Sequence, residues 1–91
     1  MTRSSWELIV APSAERSLAR LPEKVAGAVV EFMLGQLLEN PNRVGHRLRG
    51  DLEGLWAARR GPYRVVYEID ERAGEIRMLR IDHRADIYRP R

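Results

Sequence analysis

Five polar side chains in the second half of the chain have types and spacing that suit chemistry on a phosphate. They are three arginines, a histidine and a tyrosine: Arg59, Arg64, His83, Arg84 and Tyr88. A guanidinium is always charged and its planar fork matches phosphate oxygens, whereas an imidazole exchanges protons near neutral pH. A tyrosine ring can stack on a base. Together these groups suit metal-free cleavage of RNA, in which the 2′-hydroxyl attacks the adjacent phosphate.

That reaction assigns a role to each type of side chain. A base must remove the 2′-hydroxyl proton, and cations must stabilise the charge that develops on the phosphate. His83 is the predicted proton-exchanging group because arginine is too weak a base, and Arg59 and Arg64 are the predicted charge stabilisers. Three more arginines are candidates for RNA binding beside this surface: Arg47, Arg49 and Arg60.

Each of these residues also has an interpretation without chemistry. Arg64 lies between apolar neighbours and is equally consistent with a charge at the edge of a sheet, and His83 fits a surface histidine that closes a strand. Tyr63 and Tyr67 are expected in the core rather than on an RNA-binding surface. The other histidine, His46, is expected to be merely solvated.

Composition excludes several other kinds of function. The chain has 91 residues, of which 44% are hydrophobic and 32% charged, and it contains no cysteine. Disulfides, thiolate catalysis and cysteine-ligated metals are therefore excluded, and no cofactor or metal is expected. The length predicts one domain, residues 1–91. Because no apolar stretch resembles a signal peptide or a membrane span, we expect a cytoplasmic location and no membrane partner.

The positive charge is concentrated in the second half. Residues 1–42 carry four basic and five acidic side chains, and residues 43–91 carry twelve basic and eight acidic ones. All but one of the sixteen basic residues are arginine. An arginine-rich half favours a nucleic-acid partner, although the same charge also keeps a small protein in solution.

The first half predicts one strand and two helices. Trp6–Ala11 is rich in aromatic and β-branched residues and stops at Pro12, which predicts a short strand. Ser13–Arg20 has helical spacing, and its serine is expected to act as an N-cap. Pro22–Leu38 is amphipathic and predicts a longer helix, which Pro41 terminates. The two helices should form a hairpin with one apolar face.

The second half predicts three strands that would pair with one another. They are Leu55–Arg60, Tyr63–Ile69 and Glu75–Ile81, and they follow a loop or irregular strand at residues 45–54. The predicted class is α+β, with the helical hairpin packed on one face of an antiparallel sheet of about four strands. Regular alternation would turn Arg59 and Arg64 to the open face, with His83 just beyond the last strand.

The chain resembles the RelE family of bacterial toxins. The motifs that carry this resemblance are Leu48-Arg49-Gly50, Leu55-Trp56, the run GPYRVVYEI at 61–69 and the run DHRADIY at 82–88. Each motif is weak alone, but four in this order make a specific pattern. The first half is similar to the N-terminal part of the family, so that the resemblance covers almost the whole chain.

The resemblance implies the toxin of a type II toxin–antitoxin system. RelE-like toxins cut mRNA in the ribosomal A site without a metal, and a small antitoxin of the RelB type inhibits them. By position, Arg64 matches the arginine at the scissile phosphate, Arg84 the arginine that stabilises or protonates the leaving group, and Tyr88 the tyrosine that stacks on the base. Arg59 matches the second of two usually basic positions, and the first is Ala57.

Two alternatives remain open. The related ParE toxins share the fold but poison DNA gyrase, and Ala57 favours this alternative, whereas His83, Arg84 and Tyr88 together oppose it. A degenerate toxin that only binds its antitoxin is the third interpretation. In every case the antitoxin is expected to cover apolar surface on the helical hairpin and to meet the arginines with acidic residues. The toxin alone is not expected to bind DNA.

Overall fold

The computed structural model describes residues 6–83, so that Arg84 and Tyr88 lie outside the described residues. The elements in chain order are β1 (Glu7–Val10), α1 (Pro12–Arg20), α2 (Glu23–Phe32), a π-helical turn (Met33–Leu37), α3 (Pro41–Val44), β2 (His46–Arg47), a 3₁₀ turn (Gly50–Leu52), β3 (Trp56–Arg60), β4 (Tyr63–Asp70) and β5 (Glu75–His83).

The strands form one five-stranded sheet in the order β1-β5-β4-β3-β2. The predicted α+β class is confirmed, but the sheet differs from the prediction in two ways. The segment expected as a loop or irregular strand contains the short edge strand β2, which brings the number of strands to five. The sheet is mixed, because β1 pairs with β5 in parallel while the other pairs are antiparallel.

The core lies between the helices and one face of the sheet. Val65 and Tyr67 from β4 and Met78 from β5 pack against Val29 and Met33 from the helices, and all five are buried. Tyr63 and Tyr67 lie in this core, as predicted, and Trp56 is packed against it. Burial raises the pKa of the Tyr67 hydroxyl above its ordinary value, because the charged phenolate would lose its hydration.

A β-bulge interrupts the pairing of β4 with β5. Val66 pairs with Arg80 and Tyr67 pairs with Met78, so that Leu79 is an extra residue without a partner in the register. Directly opposed residues in an antiparallel pair lie on the same face, and a bulge therefore reverses the alternation that follows it. Beyond Leu79, the even-numbered residues of β5 face away from the core.

Helix α1 contacts this bulge through a serine. Ser13 does not cap the helix as predicted: the N-cap residue is Ala11, and no side chain makes a capping hydrogen bond there. The Ser13 hydroxyl instead donates to the main-chain carbonyl of Leu79. The extra residue of the bulge thus obtains from the helix a hydrogen bond that fixes it in place.

The helical part of the chain ends in two short turns. Helix α2 continues into the wider π-helical turn, and Pro41 begins the single turn α3, as its fixed φ allows. Within residues 6–83, no helix is long and apolar enough to cross a membrane.

Candidate active site

The open face of the sheet carries a group of charged side chains near the turn between β3 and β4. Arg59 is paired with Arg64, and Arg64 is paired with Asp82 on β5. Arg80 lies on the same face, opposite Val66. We call the set Arg59, Arg64, Arg80 and Asp82 the arginine face.

One carboxylate organises two of the guanidiniums. Asp82 Oδ2 accepts hydrogen bonds from Arg64 Nη2 and from Arg80 Nε, and each donor–acceptor distance is 3.1 Å. The side chain of Arg64 is 29% exposed and that of Asp82 is 22% exposed. Among the described residues, the Nε atom of Arg64 is buried and has no hydrogen-bond partner. Asp82 therefore restricts the orientation of both guanidiniums and offsets part of their charge.

Regular alternation on β5 would have placed Arg80 and Asp82 in the core. The bulge at Leu79 moves both side chains to the open face, and for this reason the sequence did not predict them as site residues. The sequence did contain a signal for this placement. Arg80 and Asp82 are charged and lie at or just after the end of the predicted strand, and neither side chain would be tolerated in the interior without a partner.

The same bulge moves His83 away from the arginines. His83 lies within β5 and is paired with Tyr63, whose side chain faces the core. The expectation that His83 shares the open face with Arg59 and Arg64 is therefore wrong. Its side chain begins on the opposite side of the sheet, where it is half-buried.

The other histidine takes the position that was expected of His83. His46 on β2 is paired with Ala57, which faces away from the core, so that the exposed imidazole of His46 lies on the open face. The structure thus exchanges the two histidines relative to the sequence-based prediction.

Two arginines predicted for RNA binding lie on the helix-facing side. The guanidinium carbon of Arg47 is 5.5 Å from the centre of the Trp56 ring, and that of Arg60 is 5.8 Å from the centre of the Phe32 ring. Both contacts have the geometry of cation–π interactions. The third, Arg49, lines an open cleft of about 950 Å³ that it shares with Arg47 and Trp56 at the sheet edge.

The far end of the open face has the opposite charge. Glu68, Asp70 and Glu75 lie there with a single arginine, Arg77. Arg77 Nη1 is 3.5 Å from Glu68 Oε1, and Nη2 is 4.0 Å from Glu75 Oε1. The open face is therefore basic near the β3–β4 turn and acidic near the β4–β5 hairpin, and an RNA phosphate would be attracted to the former.

Comparison with known proteins identifies the family. The family described as "ParE toxin of type II toxin-antitoxin system, parDE" matches residues 8–88. Toxin RelE of Mycobacterium tuberculosis (strain ATCC 25618 / H37Rv) is 50% identical over 84 residues, which are 92% of this chain and 87% of that toxin. The chain belongs to the RelE/ParE family of type II toxins.

Two further comparisons agree on the family and on the fold of this RelE-family toxin. Toxin RelG of the same organism is 51% identical over 77 residues, which are 85% of this chain and 88% of that toxin. The crystal structure of the toxin–antitoxin complex RelBE2 from Mycobacterium tuberculosis contains a chain that matches with a TM-score of 0.86 and 42% identity. That match covers 88% of this chain and 99% of the other.

Proposed function

We propose that this RelE-family toxin is a ribosome-dependent mRNA endonuclease that inhibits translation in the cytoplasm. The observation that carries the proposal is the arginine face: three guanidiniums lie together on the sheet face that the helices leave open. Such a surface can bind the phosphate of an RNA strand and stabilise the charge that builds up when its 2′-hydroxyl attacks.

Three residues of the arginine face have a defined part in this reaction. Arg59 and Arg64 would donate hydrogen bonds to the non-bridging phosphate oxygens, and Asp82 would keep the Arg64 guanidinium directed toward them. The 2′-oxygen bonds to phosphorus while the bond to the 5′-oxygen breaks, leaving a 2′,3′-cyclic phosphate and a 5′-hydroxyl. The roles of Arg84 in leaving-group stabilisation and of Tyr88 in base stacking rest on the family resemblance.

The proposed inhibitor is a small antitoxin of the RelB type. The relative in the RelBE2 complex, which is 42% identical to this chain, was crystallised with its antitoxin. Two apolar side chains of the helical hairpin are exposed, Val30 at 36% and Leu34 at 58%, and an antitoxin segment would cover them. Acidic antitoxin residues would meet the arginine face and block RNA.

Induced expression followed by mapping of transcript 5′ ends, with and without active translation, tests the proposed activity. We expect cuts inside translated codons, and we expect them to disappear when translation is blocked. The Arg64→Gln variant should reduce cleavage about 100-fold, because it removes a charge stabiliser without adding bulk. Arg72→Gln, an equal change of charge in the exposed β4–β5 loop, is the control and should cut like the wild type. Equal cleavage by both variants would contradict the proposal.

A second candidate function is poisoning of DNA gyrase. Two observations favour it: the small residue Ala57 where RelE-like toxins are usually basic, and the carboxylate of Asp82 beside Arg64. The matching family is also named for ParE toxins. Double-strand breaks and an SOS response on induction, without codon-specific cuts, would support this alternative. Growth without either effect would indicate a degenerate toxin that only binds its antitoxin.

A further inference from the structure

His46 is exposed at the edge of the open face, in one row with two small apolar residues. Its opposite residue on β3 is Ala57, whose own partner on β4 is Val66, followed by Arg80 on β5. Ala57 is 0% exposed and Val66 is 1% exposed. The apolar centre of this row is therefore covered, and its exposed ends are a histidine and an arginine.

The dimensions of this row suit a nucleotide. Adjacent strands are about 4.8 Å apart, which separates the backbones of His46 and Arg80 by about 14 Å, and both side chains can lean inward from there. Arg59 and Arg64 form the next row toward the β3–β4 turn. A phosphate held by Arg59 and Arg64 would thus lie one row away from His46, on the same face of the sheet.

The backbone before His46 is held tightly, although β2 has only two residues. The Tyr67 hydroxyl donates a buried hydrogen bond of 2.7 Å to the main-chain carbonyl of Pro41. Gly45 is packed against that hydroxyl: a Cβ at Gly45 would overlap it and would lie 2.8 Å from the carbonyl oxygen of Ala57. Only glycine allows this close approach, which fixes the position from which the His46 side chain leaves the strand.

The other potential base on the open face is already engaged. Asp82 accepts hydrogen bonds from both Arg64 and Arg80 through one oxygen, and these contacts hold the carboxylate against the two guanidiniums. The side chain of His83 begins on the other side of the sheet. Of the histidines and carboxylates near the arginine face in the described part of the chain, His46 has the position and the chemistry for proton transfer.

We propose that His46 accepts the 2′-hydroxyl proton during RNA cleavage, an inference that rests on the proposed endonuclease function. The neutral imidazole takes the proton as the 2′-oxygen bonds to phosphorus. The P–O5′ bond breaks, and the departing 5′-oxygen takes up a proton from water. The protonated imidazole then returns its proton to solvent. The arginine face supplies the charge stabilisation, and His46 supplies the base that arginine cannot be.

Single-turnover cleavage by purified toxin on ribosomes programmed with an mRNA tests this inference. His46→Gln and His46→Ala should each slow cleavage about 100-fold or more, the range expected for loss of a positioned base. His83→Gln, the matched change on the other face, should cost at least tenfold less. Because His46 is exposed, both His46 variants should keep the wild-type melting temperature and antitoxin affinity.

The pH profile separates proton transfer from a structural role. The wild-type rate should fall toward acidic pH, because a protonated imidazole cannot accept the 2′-hydroxyl proton, and this acid limb should be missing in His46→Gln. Arg80→Gln should be slower than the wild type but retain the limb, which controls for the pH response of the ribosome.

The possible outcomes distinguish a failure of the His46 proposal from a failure of the proposed endonuclease function. A wild-type toxin that cuts translated mRNA, together with a His46→Gln variant of unchanged rate and unchanged acid limb, would overturn the inference alone. The same holds if the limb is lost in His83→Gln or Asp82→Asn instead. Absence of cleavage by the wild-type toxin would overturn the proposed function and this inference with it.

Discussion

The carboxylate of Asp82 orients two guanidiniums of the arginine face and reduces the net positive charge of that face. Two guanidiniums share its Oδ2 atom, so that neither Arg64 nor Arg80 samples its full set of rotamers. Exposed ion pairs contribute little to stability, about 0–1 kcal/mol. The contacts therefore matter more for orientation than for folding, because a guanidinium that is already directed at the phosphate loses less entropy when it binds.

Arg80 should act as the cation that is missing at Ala57. Arg80 lies in the same row of the open face as Ala57, and we expect Arg80→Gln to lower single-turnover cleavage about tenfold through loss of one charge-assisted contact. Arg77→Gln changes the same charge on the same strand and face, but beside Glu68 and Glu75, and should leave the rate unchanged. Equal rates for the two variants would show that Arg80 does not contact RNA.

At the scale of elements, the helical hairpin presents apolar surface that the fold does not use. Val30 and Leu34 are four residues apart along one continuous run of helix, which places them on one face. The amphipathic pattern of Pro22–Leu38 predicts that the apolar side chains of this helix, these two among them, pack on the sheet. The structure instead leaves them outside the core, where the proposed antitoxin would bind.

Leu34→Glu should weaken antitoxin binding about 30-fold, the effect expected when a charge enters the centre of an apolar contact. The variant should keep its melting temperature within a few degrees, because the side chain is already 58% exposed. Calorimetric titration with the product of an adjacent short reading frame measures the affinity. Glu31→Ala, which changes an exposed residue on the same helix, serves as the control and should keep the wild-type affinity. If the Glu31 variant lost a similar amount of affinity, or if the Leu34 variant lost none, the antitoxin would bind elsewhere.

The sequence predicts the elements better than it predicts the open face. The alternation of Tyr63, Val65, Tyr67 and Ile69 identifies the core side of β4, because half-buried strands repeat every two residues. The same rule fails on β5, because the bulge at Leu79 involves no glycine or other residue that marks it in sequence. The segment that contains β2 could be predicted only as a loop or irregular strand, because two residues are too few for a period, and the sequence therefore did not place His46 on the open face.

At the scale of the whole molecule, charge is unevenly distributed both along the sequence and across the open face of the sheet. The second half of the sequence carries the excess of basic residues, and within that half the open face is basic at one end and acidic at the other. Such a field steers an oppositely charged partner to one end of the face and raises its rate of association.

We therefore expect antitoxin association to slow as salt is raised, since charges further apart than about 10 Å are screened at 0.1 M ionic strength. The double variant Arg59→Gln/Arg64→Gln should associate more slowly and show a weaker salt dependence in stopped-flow measurements. Arg72→Gln/Arg77→Gln removes the same charge at or near the acidic end and should not slow association. If both double variants behave alike, net charge rather than its placement governs the encounter.

The extra residue at Leu79 has a consequence for the evolution of this family. Gain or loss of one amino acid at that point would exchange the side chains that the end of β5 presents on its two sides, while the strand order and the core before it stayed the same. Toxins of one fold could in this way acquire different reactive groups in a single step. Alignments of relatives must therefore place any gap here correctly before histidines or arginines near the C-terminus are treated as equivalent.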